Sequence, residues 1–371
     1  MNTLHLVICK YLPIEFKRLA GFVLVSFFLI PPLAAQEVIF SRLTIDDGLS
    51  SNFVHCVWQS KNGYLWVGTE NGLQRYDGNA FISANRDYKK NSLPAFPVRQ
   101  ILESKKGVVW LRLGNYFGKF DTGRMSFIKA DIAYPKGAES SEPGRLTEDI
   151  KGNILLIVPG KDILAYNPKH NSFEHDPSVV SVPDDFGISD VAADPVTGLY
   201  YLCGSAGFAI YDPVKRVFYN AGYNPLRVPF LEKTKGLKGF SSIYLSKQEG
   251  IWLVKQQKFS VKVFLYDFKS ERLRPKSIVR DLSSSDFTLK GFAAAGKRTW
   301  IYGAGLLNFY DNTYHNFVMA GHNFMDYYGI QYNSVHQVYE DRDRNVWIAS
   351  DNGLYKGRLR TITSGTDMPR N

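Results

Sequence analysis

Seven copies of one strand–turn–strand phrase, a spacing of 44 to 52 residues between them and an aromatic content of 14% predict an all-β fold, a seven-bladed β-propeller. Each blade is expected to be a four-stranded antiparallel sheet, with the N-terminal strand completing the last blade and closing the ring. A repeat of that length cannot bury its apolar face alone, so neighbours must stack into one continuous core. The 22 Tyr and 25 Phe suit this, because flat rings pack well on a pleated surface.

The first 35 residues read as something other than fold. Lys10, Lys17 and Arg18 precede an apolar run from Leu19 to Leu33, and Ala34 and Ala35 follow it. Basic, apolar and small-residue regions in that order predict a secretory signal peptide over 1–35, cleaved before Gln36. An uncleaved membrane anchor is the rival, although the run is short for a span of roughly 20 residues and Pro31 and Pro32 interrupt it. The expected domains are therefore the leader, a propeller over 36–360 and a polar tail over 361–371. The expected location is periplasmic or otherwise exported, with no membrane span in the mature chain.

The clearest repeat joins GYLWVGT at 63–69 to NGLQRYDG at 71–78. Its tryptophan position recurs as Trp66, Trp110, Leu155, Tyr200, Trp252, Trp300 and Trp347. At a fixed strand position the five tryptophans are expected to form core between blades. In the first unit, 53–59 is the innermost strand, 64–69 the second, 73–77 the third, and the outer strand lies around Phe81. Asn-Gly and Asp-Gly pairs suit the tight hairpins between them. The seventh unit supplies three strands before the polar tail, and 38–43 has the outer-strand pattern it lacks. Closure of that kind removes exposed strand edges.

The stretch LTIDDGLSSN at 43–52, then Val57, the Asn62-Gly63 turn and LWVGTENGLQRYDG, resembles the two-component regulator propeller repeat. The first and last units match it best, the middle ones at the strand–turn–strand level. That family builds periplasmic sensor regions of bacterial hybrid and histidine-kinase two-component systems, many of which respond to glycans. The resemblance implies a ligand-binding sensor module, with a second propeller or a sensor kinase as possible partners. The kinase modules of such receptors have no counterpart in this sequence, so no kinase output is expected from it.

Catalytic signatures are missing. There is no G-x-S-x-G elbow, zinc-protease helix or phosphate loop. No catalytic residue, metal or cofactor is expected, and the protein reads as a binder and not an enzyme. The alternative is a propeller carbohydrate-active enzyme, a glycosidase or polysaccharide lyase, whose acids would converge from separate blades. His170 and His175 flank an outer strand and read as solvent-exposed. His55 and His336 occupy equivalent inner-strand places and read as structural histidines. Asp341-Arg342-Asp343-Arg344-Asn345 reads as a hairpin turn in place of a calcium loop. Cys56 and Cys203 fall in the first and fourth units and read as buried free thiols. The formal net charge is +10, or +8 without residues 1–35, and its lysines and arginines look scattered. Nucleic acid is therefore not an expected partner.

In a propeller, the loops entering the innermost strands and the turns between second and third strands share one face. Here they carry Asp46, Asn52, Glu70, Asn71, Asn115, Lys161, Gln257 and Asn352. Polar side chains around a concave mouth suit a hydroxyl-rich ligand, and an oligosaccharide is the expected one. The long connectors 133–143, 223–238 and 321–331 are expected to reach the same face.

Overall fold

The computed structural model describes residues 38–84, 93–134, 144–257, 260–280, 286–320 and 329–359. The leader at 1–35, the tail at 361–371, the Lys89-Lys90 pair and much of the connectors 133–143 and 321–331 lie outside the described residues.

The described chain is almost entirely antiparallel strand, β1 to β28. In the first repeat β2 (Val54–Gln59), β3 (Leu65–Thr69), β4 (Gly72–Tyr76) and β5 (Phe81–Ser83) form one meander, each strand paired with the next. Gly63 and Gly72, both at positive φ, make its first two turns, where a side chain would strain the backbone. The pattern repeats as β6–β9 over 98–132, β10–β13 over 146–174, β14–β17 over 188–220, β18–β21 over 242–276 and β22–β25 over 288–319. The last repeat gives β26 (Val335–Glu340), β27 (Asn345–Ser350) and β28 (Gly353–Leu359). Strand β1 (Val38–Leu43) pairs outside β28 and makes that sheet four-stranded.

The count of sheets differs from the expected seven. Five are four-stranded and one has eight strands. The cause is local: the outer strands of the second and third repeats, β9 (Ser126–Ile132) and β13 (Ser172–Glu174), pair in parallel at Asp131 with Ser172 and Ile132 with Phe173. Hydrogen bonding thus continues from one meander into the next.

The innermost strands β2, β6, β14, β18, β22 and β26, with β10–β11 between β6 and β14, neighbour one another in chain order, and β26 returns to β2. Core lies in the wedges between successive sheets. Trp66 packs with Val109, Leu111 and Phe120 of the second repeat, Trp110 with Leu156 and Phe173 of the third, and Trp252 with Ile301 and Phe317 of the sixth. Trp347 packs back onto Val54, Val67 and Leu49 of the first. Trp300 is likewise buried. Cys56 and Cys203 are buried and unpaired. The connector 223–238 is not a free loop: it holds a short helix, α1 (Pro229–Lys233), that sinks Phe230 and Leu231 into core.

Turns at the far ends of the innermost strands are held by side chains. Asp341 accepts from the Asn345 amide at 2.8 Å, from Asn345 Nδ2 at 2.8 Å and from Trp347 Nε1 at 2.7 Å. The segment 341–345 is therefore a hairpin turn. His170 and His175 each meet a carboxylate beside their outer strand, Glu174 at 3.3 Å and Asp162 at 2.7 Å. No group of metal-ligand side chains forms among the described residues.

Candidate functional site

Five innermost strands carry a β-bulge at the same place. In β2 the pairing runs from Val54–Thr69 to Cys56–Gly68 and skips His55. The same skip leaves out Arg99 in β6 (Val98–Glu103), Ser189 in β14 (Ile188–Ala193), Lys290 in β22 (Thr288–Ala295) and His336 in β26. A bulge re-aims the extra side chain away from the ladder. All five extra residues line one cavity of about 690 Å³ at the channel end. Phe53, Arg112, Arg145, Asp190, Ser242 and Gln256 also line it.

Glycine opens the space that the bulges need. A Cβ on Gly68, opposite the first bulge, would come within 2.5 Å of the Val98 carbonyl that starts the next innermost strand. The polar residue after a bulge then fastens neighbouring sheets. Gln337 accepts from the Val57 amide at 2.6 Å, and Gln100 exchanges two bonds of 2.9 Å with the Leu146 backbone. Asp190 accepts from the Ile243 amide at 3.1 Å and the Ser242 hydroxyl at 2.9 Å. Bulged side chains are thereby held on a rigid frame.

The wall has two unlike arcs. On one, Arg145 meets Asp190 at 2.8 Å and the Val191 carbonyl at 2.7 Å, while Arg112 donates to the Gly114 and Gly144 carbonyls. That arc satisfies itself. The other arc runs through Lys290, His336, His55 and Arg99. Among the described residues neither Lys290 nor Arg99 has a carboxylate within ion-pair distance.

The two histidines differ in state. His55 Nε2 lies 2.7 Å from Glu70 Oε2 and donates to it. His336 Nδ1 lies 2.7 Å from the Val54 carbonyl, so it carries the proton and Nε2 keeps a lone pair. That Nε2 is buried and has no hydrogen-bond partner among the described residues. The rings stack at 5.3 Å, and Phe53 sits against both. Burial, reinforced by Lys290, lowers the His336 pKa to about 4. Burial also lowers that of His55, with Glu70 opposing. Both are neutral at pH 7. Burial moves Lys290 below the usual lysine value, against the pull of Asp351.

None of the eight residues singled out from sequence lines this cavity. Seven of them lie in turns, bends or a 3₁₀ turn and Gln257 ends a strand, and several of these side chains serve the local backbone. Asn71 Nδ2 donates to the Ser50 carbonyl at 2.7 Å, and Asn352 Nδ2 to the Gln331 carbonyl at 3.2 Å. Asn52 accepts from the Ile45 amide at 2.9 Å, Gln257 from the Ser260 hydroxyl at 3.4 Å, and Asn352 also meets Arg42. Asp46 sits in an exposed 3₁₀ turn, and Asn115 and Lys161 are exposed. Glu70 approaches the cavity through His55. The cavity's own residues went unread, although the segments carry a mark: VHCV, VRQI, ISDV, LKGF and VHQV are apolar at the first and fourth positions, which breaks strand alternation. His55 and His336, read from the sequence as structural histidines, line the cavity, and the seemingly scattered basic residues converge here as Arg99, Arg112, Arg145 and Lys290.

Four-stranded sheets set in sequence about a channel, with a cavity at its mouth, define a β-propeller. The two component regulator propeller family model matches residues 48–71 and 329–352, in the first and last repeats. The fold is similar to the extracellular domain of a hybrid two-component system from B. thetaiotaomicron, with a TM-score of 0.62, 16% identity and coverage of 88% of this chain and 42% of that one. This chain thus spans about two fifths of that domain. It is also similar to a virginiamycin B lyase from Staphylococcus aureus with quinupristin (TM-score 0.57, 14% identity, 87% and 100% covered). A third likeness is to YCF48 bound to D1 peptide (0.56, 13%, 91% and 99%). No curated protein sequence matches the chain. Among the described residues no helix is long and apolar enough to cross a membrane.

Proposed function

We propose that this chain is an exported, sensor-type propeller that binds an oligosaccharide in the cavity at the mouth of its channel. The observation that carries the reading is the set of five bulges aiming five side chains into one cavity. A bulge costs ladder pairing, and bulges recur next to sites. The lining mixes hydroxyl, amide and charged groups with the partly exposed ring of Phe53, a set suited to sugar hydroxyls and to the apolar face of a pyranose. The regulator-propeller match and the leader-like segment at 1–35 support a sensing role outside the cytoplasm. A second propeller or a sensor kinase would then receive the signal. We count the eight-stranded sheet as two blades, because only a two-pair contact joins its halves, which makes the ring seven-bladed.

Calorimetry of the purified chain against a panel of neutral and charged oligosaccharides tests this. At least one glycan should bind, and Phe53→Ala should weaken it about tenfold or more while leaving the melting temperature in place. Failure of every glycan, or unchanged affinity in the variant, overturns the reading. New reducing ends appearing in the same mixtures would point to a carbohydrate-active enzyme instead.

A further inference from the structure

We propose that the arc of Lys290, His336, His55 and Arg99 is the seat of one oxyanion, a carboxylate or a sulfate ester, carried on a sugar ring of the ligand. The inference rests on the oligosaccharide reading and names the group that the site selects. The four residues are the bulge residues of β22, β26, β2 and β6, which follow one another around the channel. A cation stands at each end of the arc and two neutral imidazoles stand between.

The contrast with the opposite arc locates the seat. Arg145 is spent on Asp190 and the Val191 carbonyl, Arg112 on the Gly114 and Gly144 carbonyls, and Asp190 also accepts from the Ser242 hydroxyl and the Ile243 amide. Asp351, the acid nearest Lys290 in effect, has Oδ1 committed to the Asn333 and Ser334 amides at 3.0 and 3.1 Å. Lys290 and Arg99 have no such carboxylate partner among the described residues. Both cations are exposed at the cavity wall and open to an incoming anion, and a guanidinium presents a fork that matches two oxyanion oxygens. His336 adds a buried acceptor nitrogen without a partner among the described residues, matched to a hydroxyl beside the charged group. Phe53, packed on both histidines, offers a face for the ring that carries the anion. A cavity of about 690 Å³ has room for such a sugar and its neighbour.

The test is calorimetry of the purified chain with trigalacturonate, galactotriose and a sulfated galactotriose, at low and high salt. At least one anionic probe should bind about tenfold or more tighter than galactotriose at low salt, and the advantage should shrink at high salt. Arg99→Gln and Lys290→Met should each remove most of that advantage, and Lys290→Arg should keep it. The tighter of the two anionic probes identifies the group as carboxylate or sulfate. Galactotriose binding as tightly as both anions, or full anion preference in both neutralised variants, overturns the seat and leaves oligosaccharide binding standing. If no probe binds, and no glycan of the wider panel does, both readings fall together.

Discussion

The first and last repeats place the same residue types at the same positions and put them to different uses. His55 and His336 are both bulge residues, followed fifteen positions later by Glu70 and Asp351 respectively. Glu70 reaches His55 at 2.7 Å. Asp351, one methylene shorter, instead accepts the Asn333 and Ser334 amides. In the first repeat the Ser51 hydroxyl accepts from the Phe53 amide at 3.0 Å, and position 332 in the last holds Tyr332, not serine. One methylene and one hydroxyl thus decide which histidine is tied to an acid and which keeps a bare nitrogen in the cavity. Asn71 and Asn352, by contrast, do one job: each amide holds a carbonyl of the loop entering its repeat. A repeated frame can keep its turns identical while its channel residues diverge.

The largest expected difference between the two repeats lies in their tryptophans. Both are buried, but Trp347 Nε1 donates to Asp341 at 2.7 Å, whereas Trp66 Nε1 has no partner among the described residues. Removing either ring should cost roughly 3–5 kcal/mol, as large buried aromatics do. Trp347→Ala also strips a donor from a buried carboxylate, which adds about 1–2 kcal/mol. Urea unfolding of Trp66→Ala and Trp347→Ala measures both, and equal losses would show that the Asp341 bond contributes nothing.

The histidines come next. An unfolded histidine titrates near 6.5, and His336 in the fold titrates at about 4. Between those values the unfolded chain holds the extra proton, so stability present above pH 6.5 is lost as the pH falls towards 4. The loss due to this residue is at most about 3 kcal/mol. His336→Gln should flatten the fall in stability across that window. His55→Gln should flatten it less, because Glu70 opposes the effect of burial there. Denaturant midpoints at several pH values decide it, and an unaltered slope in His336→Gln would remove the buried-imidazole account.

Much of the architecture was legible because each repeat carries its own punctuation. A tryptophan position and an Asn-Gly or Asp-Gly turn recur at blade spacing, and 38–43 reads as a spare outer strand. The β9–β13 contact was not legible, since two residue pairs in outer strands leave no mark on a pattern. The residues singled out from sequence lie in loops and at strand ends, whereas the residues that line the cavity lie in and around the innermost strands. Polar turn residues such as Asn71 and Asn52 stand out in sequence, yet polar side chains in turns are often there to satisfy the turn. The cavity residues lie one step inside strands, where strict alternation gives no reason to single them out. A bulge shifts that phase, and Val54 with Val57, Val98 with Ile101 and Val335 with Val338 record the shift. Convergence of Arg99, Arg145 and Lys290 from separate repeats needs the ring itself.

The smallest predicted effect is a gain. Ser60 stands where the last repeat has Asp341, and its hydroxyl donates to the Tyr64 carbonyl at 3.1 Å, leaving Trp66 Nε1 without a partner among the described residues. The two turns share their backbone bond, from the Ser60 amide to the Tyr64 carbonyl at 2.9 Å and from the Asp341 amide to the Asn345 carbonyl at 3.0 Å. A carboxylate at position 60 therefore finds the geometry that Asp341 uses, with the Tyr64 amide and the indole N–H as donors. Burial of that charge opposes the gain, but Asp341 is buried to a similar degree and is held by three donors. Ser60→Asp should stabilise the chain by about 1 kcal/mol at pH 7, where the acid is ionised. The attribution is checked by a double-mutant cycle with Trp66→Phe, which keeps an aromatic ring and deletes the N–H. If the gain survives in the Phe background, it comes from the turn alone; if it vanishes there, the first repeat lacked the one acceptor that the last repeat has.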